Sequence, residues 1–242
     1  MAQKRLSHLT LLYTFMIGIL IQLALSWLLI WLFNRSNLSV LGLVPTKERV
    51  QHFVIFFLMA ATFSASGFGL KMWIADQRWQ LNPEWTSRLI AEGVWFNIKS
   101  VLYEELIFRG ALFYILIKKI GATKAIWISS SSFGMYHWFS QGSLGNPMSM
   151  LITFVITGAM GLVLAYGYYK TQSLYVPIAI HLGWNGVQQV MFSSGPIGKQ
   201  LLIEVLPQPE VTVSYFSFAL ILLFPIVGVL VACAWSIRKL KS

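Results

Sequence analysis

The stretch at residues 9–33, LTLLYTFMIGILIQLALSWLLIWLF, decides the fold, because it runs uncharged from end to end. About 20 mostly apolar residues cross the hydrocarbon core of a bilayer, so this segment is long enough to span one. Lys4 and Arg5 precede it, and Ala24-Leu25-Ser26 inside it has the small-residue pattern of a signal-peptidase site. The apolar run continues to Phe33, which is too long for the h-region of a signal peptide, so a retained span is expected.

Working outward from this segment, further apolar stretches follow at about Val50–Trp73, Ala91–Ile117, Ala125–Phe139, Met148–Tyr169, Leu174–Phe192 and Val211–Ile237. The expected fold is therefore an all-α, polytopic integral membrane helix bundle of about seven transmembrane helices (six to eight). Composition agrees: 57% of the 242 residues are hydrophobic and 11% are charged, against roughly 25% charged in a soluble domain. The net charge of +10 would otherwise point to a nucleic-acid partner. In a membrane chain, basic residues instead collect in loops on one side, so no nucleic acid is expected. With the N-terminus outside and seven alternating spans, ten loop Lys and Arg fall inside and six outside. Cys233 is the single cysteine, which excludes an intrachain disulfide framework and a cysteine-based metal site.

Between the second and third stretches, Asp76–Arg88 interleaves Trp79, Leu81 and Trp85 with charged residues. That mixture fits either a segment lying at headgroup depth or a plain connecting loop with belt tryptophans. Ser193-Ser194-Gly195-Pro196 and Pro207-Gln208-Pro209 mark the longest connection. The expected organisation is a two-span region with its interfacial segment (1–90), a core (91–192), and a loop with the last span (193–242).

An ionised side chain at the bilayer centre is costly and is read as functional by default. The third stretch carries Glu104, Glu105 and Arg109 near its middle. On a helix, Glu105 and Arg109 stand about 40° apart, in the better orientation for an ion pair, whereas Glu104 lies about 140° from Arg109. Glu104 is then left without a local cation, and a desolvated carboxylate of that kind suits general acid/base work. The alternative is that all three form one structural ion-pair cluster. His8 and His52 sit at span edges and read as interfacial polar residues. His137 and His181 lie inside the fourth and sixth stretches. Either alone reads as a hydrogen-bonded packing residue, but two beside an intramembrane carboxylate make a site. Phe133 and His137 share a helix face, as do His181 and Asn185. An imidazole exchanges protons or binds metal, and an asparagine amide donates to a developing oxyanion. Together these groups suit the addition of water to an amide.

The set Glu104-Glu105-Leu-Ile-Phe-Arg109 (EExxxR), Phe133-Gly-Met-Tyr-His137 (FxxxH) and His181-Leu-Gly-Trp-Asn185 (HxxxN) resembles, in that order, the CAAX protease and bacteriocin-processing (CPBP, or Abi) family of intramembrane endopeptidases. The resemblance covers roughly Ala91 to Phe192. It rests on EExxxR, with a chance expectation of ~0.006, more than on FxxxH at ~0.3 or HxxxN at ~0.1. It implies a membrane protease with its site in a wet cavity between helices, similar to type II CAAX prenyl proteases. In those relatives the first glutamate of EExxxR and the histidine of FxxxH activate water, and the histidine and asparagine of HxxxN stabilise the oxyanion. Carried over, Glu104, His137, His181 and Asn185 are the catalytic residues, and Glu105, Arg109 and Phe133 support them.

No cofactor is the preferred expectation, because a Glu/His pair activates water unaided. Zinc on Glu104, His137 and His181 is the alternative, as a His₂Glu set with one open position. The expected partners are membrane lipid and a membrane-associated peptide or lipidated protein as substrate. The expected location is the bacterial plasma membrane, as a multi-pass protein. A different class of function is a non-catalytic immunity or scaffold protein of the same family. A proton-coupled transporter is disfavoured, since no inverted repeat with paired broken helices is visible.

Overall fold

A computed structural model describes residues 2–240, with side chains from residue 17 onward. The flanking Lys4 and Arg5, the edge histidine His8 and the terminal Lys241 lie outside the described side chains. The chain forms α1 (Ala2–Asn34), α2 (Lys47–Ile74), α3 (Ser87–Arg109), α4 (Ala111–Ile120), α5 (Ala122–Ser140), α6 (Pro147–Thr171), α7 (Tyr175–Asn185) and α8 (Tyr215–Lys239). A short 3₁₀ turn, Leu38–Leu41, follows α1, and a π-helical stretch, Gly186–Met191, extends α7.

The helix starts are written in the sequence. Thr46, Thr86, Asn146 and Ser214 each accept a hydrogen bond from the backbone N–H three residues on, at the heads of α2, α3, α6 and α8. Each side chain satisfies one of the amides that a helix N-terminus leaves open. Pro147 adds a fixed φ at the first position of α6.

The outer surface is apolar, and the interior holds a polar cluster beside its apolar core. Leu20, Trp27, Ile55, Leu58, Leu151, Val155, Leu223 and Val231 are exposed on the outer faces of α1, α2, α6 and α8. Asn97, Lys99, Glu105, Arg109, Ser129, Ser130 and His181 are buried. Apolar surface outside and polar groups inside is what a hydrocarbon solvent selects. Four helices are long and apolar enough to cross a membrane, namely α1 from Ile17, α2, α6 and α8. Of these, α1, α2 and α6 pack against α3, α5 and α7, which carry the three motifs, and α5 itself also exposes Trp127, Ile128 and Phe139.

Those inner helices depart from the expected spans for definite reasons. α3 is too charged, α5 is interrupted by four consecutive serines (Ser129–Ser132), and α7 is too short before its π turn. The third expected span, Ala91–Ile117, is not one helix. It breaks at Gly110, whose ψ of −141° leaves the helical region. A Cβ on that residue would lie 2.1 Å from the Leu106 carbonyl oxygen, so only glycine fits the break.

Trp79–Leu81 (β1) pairs antiparallel with Leu202–Glu204 (β2), Trp79 opposite Glu204, so the expected interfacial segment and the long connection are tied into one ribbon. Three-residue strands are too short to show a period-two pattern, and the partners lie far apart in sequence.

The core follows the helix pairing. Phe56 and Ala60 of α2 pack with Ala179 and Ile180 of α7 and with Val229 and Cys233 of α8. A Cβ at Gly183 would stand 2.3 Å from the Phe57 carbonyl oxygen, so α7 approaches α2 through a residue without a side chain. Small residues at such crossings are the usual means of close helix packing in membranes.

Candidate active site

The motif residues converge where α3, α5 and α7 meet, beside α6. Glu105 and Arg109 are fully buried, and the Arg109 guanidinium donates from Nη1 to Glu105 Oε1 at 3.1 Å. This is the ion pair that the four-residue spacing predicts. Arg109 Nη2 also donates to the Gly161 carbonyl at 3.4 Å. Its carbon Cζ lies 4.2 Å from the centroid of the Phe133 ring, a cation–π distance. Phe133 in turn meets both imidazoles nearly edge-on, His137 at 4.4 Å and His181 at 5.8 Å between centroids. One buried aromatic ring thus supports the cation and both bases.

The histidines are held by one nitrogen each. His137 Nδ1 lies 2.8 Å from the Phe133 carbonyl oxygen, and His181 Nδ1 lies 2.7 Å from Glu105 Oε1. A carbonyl oxygen only accepts, so His137 carries its proton on Nδ1. A carboxylate paired with Arg109 likewise makes His181 Nδ1 the donor. The two Nε2 atoms are left facing a single group. Glu104 Oε2 is 3.9 Å from His137 Nε2 and 3.8 Å from His181 Nε2, and it accepts no hydrogen bond from any described residue. These separations are too long for direct hydrogen bonds and short enough for a bridging water.

Asn185 lies one turn beyond His181, at the last residue of α7, where the helix widens into the π stretch. Such π turns recur at functional sites. The cluster therefore gathers Glu104, Glu105, Arg109, Phe133, His137 and His181, with Asn185 half-buried on the His181 face of the same helix.

Three contributors escape a reading of the sequence. Glu105 serves His181 as well as Arg109. The Gly161 carbonyl comes from a helix without a motif. Tyr136 packs edge-on against His137 at 5.4 Å. Neither of the first two had a signal in the sequence, because each depends on how far apart two helices lie.

For metal, the geometry is less accommodating. Ligand atoms about 2.0–2.2 Å from a tetrahedral zinc stand roughly 3.3 Å apart, whereas the Glu104 oxygen stands 3.8 and 3.9 Å from the two nitrogens. Among the described residues no group of three His, Cys, Asp or Glu side chains is arranged to hold a metal ion.

An all-helical membrane protein with a carboxylate and two imidazoles converging in its interior has the outline of a membrane-embedded hydrolase. Residues 86–187 match the family model for Rce1-like proteins, described as type II CAAX prenyl endopeptidase, Rce1-like. All three motifs lie within the match, and this is the CPBP family that they resemble. The family is one of CAAX proteases of the membrane. No curated protein and no solved structure matches the chain.

Proposed function

We propose that the chain is an intramembrane endopeptidase that cleaves a membrane-associated, lipidated or leader peptide by attack of water, with Glu104 as general base. The observation that supports this reading above all others is Glu104 Oε2, buried without a hydrogen-bond partner among the described residues and facing the Nε2 atoms of two imidazoles whose Nδ1 atoms are already engaged.

In the proposed sequence a water held between Glu104 and His137 attacks the scissile carbonyl carbon, and its proton passes to Glu104. The carbonyl π electrons move to oxygen, and the oxyanion receives the amide N–H of Asn185. His181, held through Nδ1 by Glu105, is the second group placed beside the oxyanion. Collapse of the intermediate breaks the C–N bond, and the proton on Glu104 goes to the leaving amine. Arg109 and Phe133 keep Glu105 and both rings in place. No step is routed through a metal.

Purified protein in lipid, presented with a membrane-tethered fluorogenic peptide, tests this directly. Glu104→Gln is expected to lower cleavage by about 10²–10⁴, the range a general base supplies, and a chelator is expected to leave the wild-type rate unchanged. Cleavage by Glu104→Gln at the wild-type rate would remove Glu104 as the base, absence of cleavage by the wild type would favour a non-catalytic immunity or scaffold role, and loss of cleavage on chelation would place a metal in the mechanism.

A further inference from the structure

At the ribbon end of the bundle, a cavity of about 540 Å³ lies between the last turn of α2, the ribbon and the segment after the π turn. Its aromatic wall is tightly ordered: the rings of Phe68 and Phe192 stack at 3.9 Å, and Trp79 meets them edge-on at 5.5 and 5.1 Å. Around that wall stand hydrogen-bond donors lacking acceptors. Lys71 and Lys199 line the cavity, and neither has a carboxylate within ion-pair distance among the described residues. Trp79 lines the cavity with its ring, while its Nε1–H is sealed from solvent and supplies no donor to the cavity. Ser194 adds a hydroxyl. One acid, Glu204, also lines the cavity, but its Oε1 accepts from Gln77 Nε2 at 2.7 Å. The balance of charge is two cations to one anion, and the balance of hydrogen bonding calls for an acceptor-rich ligand.

Position narrows the ligand. The cavity sits where the 28-residue α2 ends, at Lys71, two residues before Trp73, which is 81% exposed. Tryptophans of this kind mark headgroup depth. Phe68 and Lys71 also line a second, largely apolar cleft of about 240 Å³ between α2, α7 and α8, bounded by Gly67, Phe218, Leu222 and Pro225. A basic chamber and an apolar slot thus lie side by side, with Phe68 and Lys71 lining both.

We propose that this pair of chambers is a binding site for an anionic phospholipid, with its phosphate headgroup on Lys71, Lys199 and Ser194 and the start of an acyl chain in the α2/α7/α8 cleft. The inference does not depend on the proposed peptidase activity.

Native mass spectrometry of the full chain, released from nanodiscs of phosphatidylglycerol or of phosphatidylcholine with the same acyl chains, tests it. The wild type is expected to retain phosphatidylglycerol in preference to phosphatidylcholine. Lys71→Ala/Lys199→Ala is expected to weaken that binding roughly thirtyfold, at about fivefold per lysine. Lys118→Ala/Lys119→Ala, which removes the same charge elsewhere, is expected to leave it unchanged, as is an excess of inorganic phosphate. All four lysine positions are exposed, so the variants should fold, and a rise in unfolding temperature with phosphatidylglycerol gives a second readout. Equal retention of the two lipids, or equal loss in both double variants, overturns the proposal. Full competition by inorganic phosphate would assign the site to a free anion and overturn the lipid.

Discussion

Adjacent glutamates on one helix have opposite surroundings here. Glu105 is sealed between Arg109 and His181, whereas the Glu104 oxygen that faces the imidazoles bonds to no described residue. Helical angles alone separate the two, because four residues bring a side chain back to the same face and five do not. The partition was therefore legible in the sequence. The bond from Glu105 to His181 was not, because nothing in the spacing says how far α7 lies from α3. A buried pair stripped of one member leaves an uncompensated charge, which costs about 3–5 kcal/mol. Arg109→Met is accordingly expected to destabilise the fold by about that amount, measured as a fall in unfolding midpoint in detergent. An unchanged midpoint would mean that His181 alone suffices to neutralise Glu105.

Element boundaries divide into those written locally and those imposed by packing. Caps at Thr46, Thr86, Asn146 and Ser214 are local, and their residue types announce them. The break at Gly110 is not local: a lone glycine in an apolar run is ordinarily tolerated within a helix. It becomes a break because α3 ends at the buried Arg109 and α4 turns away to pack against α5. Strand pairing between residues more than a hundred positions apart is invisible for the same reason. Close helix approach offers a sharper test. Gly183→Val would drive a branched side chain into the Phe57 backbone, and overpacking of this kind typically costs about 1–3 kcal/mol. Because α7 carries His181, cleavage should fall together with stability. A Gly183→Val protein as stable and active as the wild type would show that α2 and α7 separate freely.

At the level of the whole molecule, the membrane character was legible from composition, and the inner arrangement was not. Four of the apolar stretches form helices long and apolar enough to cross a membrane, and three others carry the site, whose polar residues in α3 and α5 are satisfied only inside. The loop charges also gather at one end. Asn34 bonds Tyr114, Lys119 stands over Phe33, and Leu174 bonds the Leu41 carbonyl. This brings Arg35, Lys47, Lys118, Lys119 and Lys170 to the end opposite the ribbon. Positive loops stay cytoplasmic, so that end should face the cytoplasm and the ribbon the other side. Single cysteines at positions 124 and 199, in a Cys233→Ala background, should be labelled by an impermeant thiol reagent only at 199; labelling only at 124 would reverse the orientation.

The account turns on a division of labour between two neighbouring carboxylates, and one paired comparison reaches it. Cleavage rate and unfolding midpoint are measured side by side for Glu104→Gln and Glu105→Gln in the same lipid. The prediction is that Glu104→Gln loses at least about a hundredfold in rate at an unchanged midpoint, while Glu105→Gln loses stability. Wild-type cleavage by Glu104→Gln, with activity lost only through unfolding of Glu105→Gln, would contradict it.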